Sequence, residues 1–261
     1  MTTGTADRQR VLDQYERDGY VIFRNVIDTD LIQEMNAHVE WLQRRYPDVR
    51  PERLGHTYMH DDPFWVRVVS DDRLLDIAEP FLGPDLAVFA SHYISKPPLS
   101  GQPVLWHQDG AFWPLEPMRV VTLWVAVDHS TPENGCVRLV PGSHHRDYAA
   151  LRDNTDVENV LSKDIAVDVN ESEAVDIVLA PGDVEMHHPA IVHGSNANTS
   201  PLRRCGLTIR YIPTSTRITG NEQPYPSAFH LRGTPGLNSY QPRPRYVEGE
   251  SMSFRGCEQW R

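Results

Sequence analysis

The sequence predicts a mainly β protein, an antiparallel sandwich or barrel with helices on its N-terminal side. Beyond about residue 85 the chain contains short runs rich in β-branched and aromatic residues, which are typical of strands. Turn sequences such as "TPENG" and "APGD" separate these runs. The helical patterns come before the strand candidates and do not alternate with them, which disfavours a parallel α/β sheet.

The first part of the chain carries the predicted helices. Residues 7–18 indicate a short helix, and "GYVIFRNVI" at 19–27 indicates a buried strand. Asp28 or Thr29 can cap a second helix. The apolar stripe of that helix is formed by Leu31, Met35, Val39 and Leu42.

A polar loop and a further helix complete this N-terminal part. Residues 47–62 are polar, and residues 72–83 predict a helix that ends at Gly83. The strand candidates that follow are residues 86–94, 120–127, 136–140, 174–180 and 205–212.

The chain contains no internal repeat and no linker, so we expect one domain over residues 1–261. A helical part at about 1–84 precedes a β core at about 85–213 and a C-terminal arm at 214–261. From Tyr225 onward the arm is rich in Pro, Arg and Tyr, and we expect it to wrap the surface. The 47–62 loop and this arm are candidate lids over a binding pocket.

Composition limits the classes of partner. The formal net charge of −11 disfavours nucleic acid and anionic membranes, and no apolar run approaches the roughly 18 residues of a membrane span. The polar N-terminus lacks the apolar core of an export signal. The cysteines, Cys136, Cys205 and Cys257, lie far apart and fit reduced thiols, so we expect a cytoplasmic protein.

One short motif, "WHQDGAFW" at 106–113, contains two potential metal ligands. Side chains two apart on a strand share a face, so His107 and Asp109 can converge on one ion. A third ligand must come from elsewhere, and the segment at 182–195 offers His187, His188 and His193. Two histidines and one carboxylate suit non-haem Fe(II), whereas an isolated His-x-Asp pair is often only a polar patch.

An arginine pair follows this segment on the next strand candidate. If the co-substrate is a dicarboxylate, its far end needs a buried cation, and the planar fork of Arg204 suits that role. Arg203 faces the opposite side of the strand and is expected to form a surface ion pair.

The motifs together resemble one family. The stretches "DGYVIFRNVI", "YISKPPLSG", "WHQDGAFWPLEP", "NGCVRLVPGSH" and "HPAIVHGS", with the following "RR", are similar in order and spacing to the phytanoyl-CoA dioxygenase family. The likeness covers roughly residues 18–213. It implies a double-stranded β-helix (jelly roll) with flanking N-terminal helices, and Fe(II), 2-oxoglutarate and O2 as cofactor and co-substrates.

The resemblance also implies roles for individual residues. It makes His107, Asp109 and His193 the iron ligands, Arg204 the partner of the distal carboxylate of 2-oxoglutarate, and Ser195 its hydrogen-bonding helper.

Other positions are assigned less directly. Trp124 matches a tryptophan of the co-substrate pocket, and His92 stands where a family member has a methionine beside 2-oxoglutarate. Both also fit plain core packing. His188 resembles a supporting histidine of the family's "HP" motif, and His187 has no counterpart.

The reaction expected from the resemblance is oxidation of an unactivated C–H bond of a small molecule, with release of succinate and CO2. Hydroxylation, ring closure, epimerisation and desaturation all remain open, and specialised metabolism is the expected setting. Asp109 disfavours halogenation, which in relatives goes with an absent carboxylate. Phe112 and Trp113 are candidate substrate contacts, or core residues. The alternatives are a non-catalytic metal-binding jelly-roll protein, a zinc hydrolase with the same ligands, and an oxygenase acting on a protein side chain.

Overall fold

The computed structural model describes residues 5–154, 156–165, 168–220 and 222–261. Residues 1–4, part of the polar N-terminus discussed above, lie outside these ranges. The α-helices within them are α1 (Thr5–Asp18), α2 (Thr29–Arg45), α3 (Pro63–Val69) and α4 (Asp72–Leu82). The strands are β1 (Tyr20–Phe23), β2 (Leu54–Gly55), β3 (Leu86–Lys96), β4 (Val104–His107), β5 (Leu115–Glu116), β6 (Val121–Ala126), β7 (Val137–Leu139), β8 (Leu151–Asp153), β9 (Lys163–Ile165), β10 (Val175–Ile177), β11 (Val184–His187), β12 (His193–Ser195), β13 (Arg204–Pro213), β14 (Arg217–Ile218) and β15 (Phe229–Arg232).

The helices begin and end where the sequence indicates. Asp28 caps α2 by accepting a hydrogen bond from the Leu31 backbone N–H at 2.9 Å, and Gly83 ends α4 with a φ of 95°. The predicted apolar stripe of α2 is buried along its whole length. Helix α3, which begins with Pro63 behind an Asp62 cap, was not predicted. Among the described residues, no helix has the length and apolar character needed to span a bilayer.

Two antiparallel sheets form the core of the described chain. The larger has the order β1-β11-β6-β13-β3-β15, with β2 also pairing with β3, and the smaller has the order β10-β7-β12-β4. The predicted antiparallel sandwich is therefore confirmed. An apolar cluster that includes Trp124, Leu139 and Ile191 lies between the sheets.

Both faces of the larger sheet are buried, and alternation along each strand decides what each face carries. On β13, Cys205, Leu207 and Ile209 pack against the helical layer in the largest apolar cluster. Arg204 and Arg210 point to the opposite face and line a cavity between the sheets. One face of β13 therefore packs against the helices, and the other face places polar groups in the cavity.

Two predicted segments differ from the observed ones. The first strand ends at Phe23 instead of Ile27, because Asn25 adopts a φ of 54° and the Val26 and Ile27 N–H groups turn to the Gly182 carbonyl. The 47–62 segment, predicted as a loop and candidate lid, contains β2 and two 3₁₀ turns. Its pairing with β3 fastens it to the larger sheet.

The C-terminal arm is also fastened to the core. It contributes β15, which pairs with the first residues of β3, and Met252 and Phe254 join the same apolar cluster as Leu31 and Leu123. One cluster thus includes residues from all three predicted parts of the chain, which supports our proposal of a single domain.

Candidate active site

A cavity of about 60 Å³ lies between the two sheets, and most of the residues singled out from the sequence line it. They are His107, Asp109, Trp124, His193, Ser195 and Arg204. His187, Thr122, Thr208 and Arg210 also contribute to the wall.

Three potential metal ligands converge on one side of this cavity. His107 ends β4 and His193 begins β12, and the two are directly opposite in the register of these strands. Asp109 lies in a 3₁₀ turn just after β4, not on the strand itself, but Gln108 is extended and keeps both side chains on one side. Gln108 turns away and donates to the Ala190 carbonyl at 2.8 Å. One ligand atom from each of the three residues lies within 4.8 Å of the others.

Hydrogen bonds orient both imidazoles toward the same point. The Nδ1–H of His107 donates to the Leu105 carbonyl at 2.9 Å, and that of His193 donates to the Ile191 carbonyl at 3.1 Å. Each ring therefore presents Nε2, at 3.4 Å and 4.0 Å from Oδ1 of Asp109 respectively. Burial, followed by His107 and His187, lowers the pKa of His193 well below its usual value, so its ring is neutral as a metal requires.

The second oxygen of Asp109 has different neighbours. The Thr122 hydroxyl donates to Oδ2 at 3.2 Å, and Arg210 Nη2 and His187 Nε2 lie 3.5 Å and 3.7 Å away. Burial alone would raise the pKa of Asp109, but Arg210 and the histidines outweigh it and hold the pKa well below its usual value. The carboxylate is therefore ionised, with Oδ1 free to bind a metal and Oδ2 surrounded by donors.

His187 is held by an internal acid. Its Nδ1 donates to Glu185 at 2.9 Å, and both residues are almost completely buried on β11. Burial lowers the pKa of His187, yet Glu185 and Asp109 together raise it to about 9. The Glu185 carboxyl group therefore fixes the orientation of the ring, and His187 Nε2 has no hydrogen-bond partner among the described residues.

Arg204 closes the opposite end of the cavity. It is 1% exposed, and its Nε and Nη2 groups donate to the Gly135 carbonyl at 2.9 Å and 2.7 Å. Within the described ranges, Nη1 is buried and has no hydrogen-bond partner. This is expected of a guanidinium that binds an acidic ligand. Burial lowers the pKa of Arg204 only to about 10, so it stays charged at neutral pH.

Ser195 and Lys96 lie beside this end of the cavity. The Lys96 Nζ group donates to Ser195 Oγ at 2.7 Å and to the Asn196 carbonyl. Lys96 is fully buried, and burial followed by the nearby Arg204 lowers its pKa well below the usual value.

Trp124 forms a flat wall beneath the guanidinium, whose Cζ lies 5.1 Å from the ring centre. Gly206 is required here, because a Cβ atom at that position would lie 2.0 Å from Cζ2 of the indole. The indole Nε1 has no partner in the part of the chain that the structure describes. It is a second buried donor that a polar ligand could satisfy.

Three other predicted residues lie apart from the Arg204 end. The His92 ring contacts Arg210 and His56 and is not in the cavity wall. Trp113 packs its face against the Arg210 guanidinium, and Phe112 is 37% exposed with its ring beside His107.

The expectation that His188 supports the ligands needs correction. Its ring contacts Tyr15 and His144 and lines a groove between α1 and α4, because it follows the inward-facing His187 and so faces the other way.

Sequence reasoning missed Arg210, Lys96 and the Glu185–His187 pair. Alternation from Arg204 along "RCGLTIR" places Arg210 on the cavity face, and alternation along "VEMH" gives Glu185 and His187 one face. Arg203, in contrast, forms the expected surface pair with Asp128 at 2.7 Å.

Comparison with known proteins decides the family. The model of the family described as "Phytanoyl-CoA dioxygenase (PhyH)" matches residues 15–206. The chain belongs to the phytanoyl-CoA dioxygenase family. It is 27% identical over 227 residues to the ectoine dioxygenase of Stutzerimonas stutzeri (strain A1501), covering 77% of this chain and 75% of that protein.

Solved structures agree with this assignment. The non-heme monooxygenase ThoJ in its apo form superposes with a TM-score of 0.77 at 26% identity, covering 95% of this chain and 92% of that one. The non-heme alpha ketoglutarate dependent carbocyclase SnoK, from nogalamycin biosynthesis, gives a TM-score of 0.67 at 24% identity, covering 90% and 94%, and supports the fold alone.

The predicted jelly roll and the predicted class of enzyme are therefore confirmed. The chain is a non-haem oxygenase that uses iron, 2-oxoglutarate and O2. This assignment disfavours the non-catalytic metal-binding protein and the zinc hydrolase.

Proposed function

We propose that this enzyme oxidises an unactivated C–H bond of a small organic molecule, with release of succinate and CO2. His107, Asp109 and His193 would hold Fe(II), and Arg204 would bind the distal carboxylate of 2-oxoglutarate. The observation that carries this proposal is the convergence of two Nε2 atoms and Oδ1 of Asp109 on one point of the cavity. The same cavity contains Nη1 of Arg204, which has no partner among the described residues.

The donor set fits the metal that the family implies. Two neutral imidazoles and one carboxylate on one side of an ion are typical of non-haem Fe(II) oxygenases. When bound, iron supplies the redox chemistry that couples O2 reduction to decarboxylation of 2-oxoglutarate and oxidation of substrate.

The protein residues orient and shield the reactants. The carbonyls of Leu105 and Ile191 fix both imidazole rings, and the donors around Oδ2 keep the Asp109 carboxylate turned with Oδ1 inward. Arg204 offers a rigid cation, since the Gly135 carbonyl already holds two of its nitrogens. Trp124 and the apolar residues between the sheets exclude water from the cavity.

The reaction outcome belongs to the same proposal. We propose hydroxylation or an oxidative tailoring step such as ring closure or epimerisation, in specialised metabolism. One relative is named as a dioxygenase and one structural neighbour as a non-heme monooxygenase, which supports oxidation of the substrate. A cytoplasmic location is also proposed, supported by free thiols at Cys136, Cys205 and Cys257 in the described chain.

Succinate formation tests the proposal. Purified protein with Fe(II), 2-oxoglutarate and O2 should release succinate slowly without substrate, and Zn(II) should not replace iron. Asp109→Ala should abolish this release because it removes one ligand. Succinate release that persists in Asp109→Ala, or that proceeds without O2, would contradict the assignment.

A further inference from the structure

Arg210 is a second buried arginine of the cavity, and its contact with the ligand Asp109 uses only one of its nitrogens. It is 7% exposed, and the regular alternation along β13 from Arg204 points its side chain into the cavity. Here the guanidinium reaches within 3.5 Å of Asp109 Oδ2, next to the iron ligands.

The hydrogen bonds of Arg210 leave one edge of its guanidinium available. Nη1 is anchored at 2.6 Å both to His92 Nδ1 and to Thr208 Oγ1. Nε is buried without a partner in the described chain, and Nη2 makes only the 3.5 Å contact to Asp109. The Nε–Nη2 edge is one that binds a carboxylate through two parallel hydrogen bonds.

The surroundings hold this edge in place. His92 accepts the Arg210 hydrogen bond through Nδ1, and burial together with Arg210 lowers the pKa of His92 well below its usual value. His92 is thus a neutral acceptor. Trp113 covers the face of the guanidinium, with Cζ 5.6 Å from the ring centre.

In the described chain, the one acidic group within ion-pair distance of Arg210 is Asp109, whose Oδ2 lies 3.5 Å from Nη2. Asp109 would also be an iron ligand, so its charge would be shared with the metal. A buried cation without a close counter-charge of its own is costly, so a ligand that brings one negative charge to the Nε–Nη2 edge is favoured.

An outer cavity lies near the same residues. An outer cavity of about 460 Å³ is lined by His56, His60, Glu222 and Tyr225. The His56 ring lies edge-on to His92, with ring centres 5.2 Å apart, and His92 in turn contacts Arg210. The outer cavity is large enough for a small organic molecule.

We propose that the substrate of this enzyme carries a carboxylate and that the Nε–Nη2 edge of Arg210 binds it, with His92 and Trp113 holding the guanidinium. This inference deepens the proposed function and rests on it. Arg210 would then determine specificity, since it selects acids over neutral molecules of the same shape.

The test uses benzoate and its neutral isostere benzamide. The protein is first loaded anaerobically with saturating Fe(II) and 2-oxoglutarate, and formation of the complex is followed by visible absorption. Calorimetric titration should then show benzoate binding about ten-fold or more tightly than benzamide, the preference expected for a charge-assisted pair. Benzoate must add to the complex without displacing 2-oxoglutarate.

Variants assign the preference to one residue. Arg210→Met should remove the benzoate preference, and Arg210→Lys should retain part of it because it keeps the charge but loses the fork. Arg217→Met, which removes an exposed arginine paired with Glu116, is the matched control and should bind benzoate as the wild type does.

The outcomes separate this inference from the proposed function. If the wild type forms no iron and 2-oxoglutarate complex, the proposed function fails. If the complex forms but benzoate binds no better than benzamide at tens of millimolar, the inference about Arg210 is overturned. It is also overturned if the preference survives in Arg210→Met, or if benzoate displaces 2-oxoglutarate, which would indicate binding at Arg204. A weaker iron affinity with an unchanged preference would mean that Arg210 only positions Asp109.

Discussion

Replacing Arg204 by methionine should weaken 2-oxoglutarate binding severely while the fold is kept. The side chain is 1% exposed, and its Nη1 has no other partner within the described residues. Methionine fills much of the same space above Trp124 but offers no charge. The affinity for 2-oxoglutarate should therefore fall. The affinity for iron should not, because its three ligands lie on β4, β12 and the turn after β4.

The magnitude follows from the burial of the pair. Removing one partner of a buried, hydrogen-bonded charge pair costs about 2–5 kcal/mol, and each 1.4 kcal/mol is a factor of ten in affinity. The dissociation constant of 2-oxoglutarate should thus rise by a factor of roughly 30 to a few thousand. Anaerobic titration of the Fe(II) protein with 2-oxoglutarate, followed by visible absorption, measures this change directly.

Arg203→Met is the matched control. Arg203 is the preceding residue and pairs with Asp128 on the other face of the sheet, so its loss should leave the 2-oxoglutarate affinity within about two-fold. If Arg204→Met bound 2-oxoglutarate as tightly as the wild type, the distal carboxylate would have to be held elsewhere. The assignment of Arg204 would then be wrong.

Three further predictions concern the ligands, the packing and the buried lysine. His193→Ala should reduce iron bound after dialysis to background, as measured by elemental analysis, and iron retained in full would refute its role as a ligand. Gly206→Ala should lower the free energy of unfolding by about 1–3 kcal/mol in urea, because its Cβ would overlap the Trp124 indole, and an unchanged midpoint would contradict this packing. Lys96 is uncharged in the folded protein over a pH range where the unfolded chain still binds its proton, so apo wild type should gain stability relative to Lys96→Met as pH rises through that range toward the unfolded pKa of about 10.4. A stability difference that stays constant with pH would show that Lys96 is charged in the fold.

Much of the candidate site could be predicted because its residues occur in short, ordered motifs. The spacing in "WHQDGAFW" brings His107 and Asp109 to one side even though Asp109 has left the strand, since the extended Gln108 preserves the alternation. The third histidine required the family resemblance, because spacing alone left His187 and His188 as alternatives. The structure separates the three by face: His193 lies opposite His107, His187 lies beside Asp109, and His188 points away.

The remaining features depend on contacts between distant segments. No local sequence pattern predicts that residues 54–55 pair with β3, or that Phe229 begins a strand at the edge of the sheet. The role of His92 was equally hidden, because it depends on Arg210, which lies 118 positions away in the chain. Pairings of this kind are fixed by tertiary packing, which overrides local propensity.

The covering of strand β3 has a consequence for how the protein is made. The outer edge of β3 is paired with β2 at one end and with β15 at the other. Because β15 is formed by residues 229–232, this part of the cover is synthesised long after β3 itself. Until the ribosome has released that segment, the nascent chain presents a bare strand edge of the kind that templates aggregation. We expect chains that stop before Phe229 to depend on chaperones and to accumulate as inclusion bodies. In the full-length chain, β15 pairs with the exposed edge of β3 as translation ends.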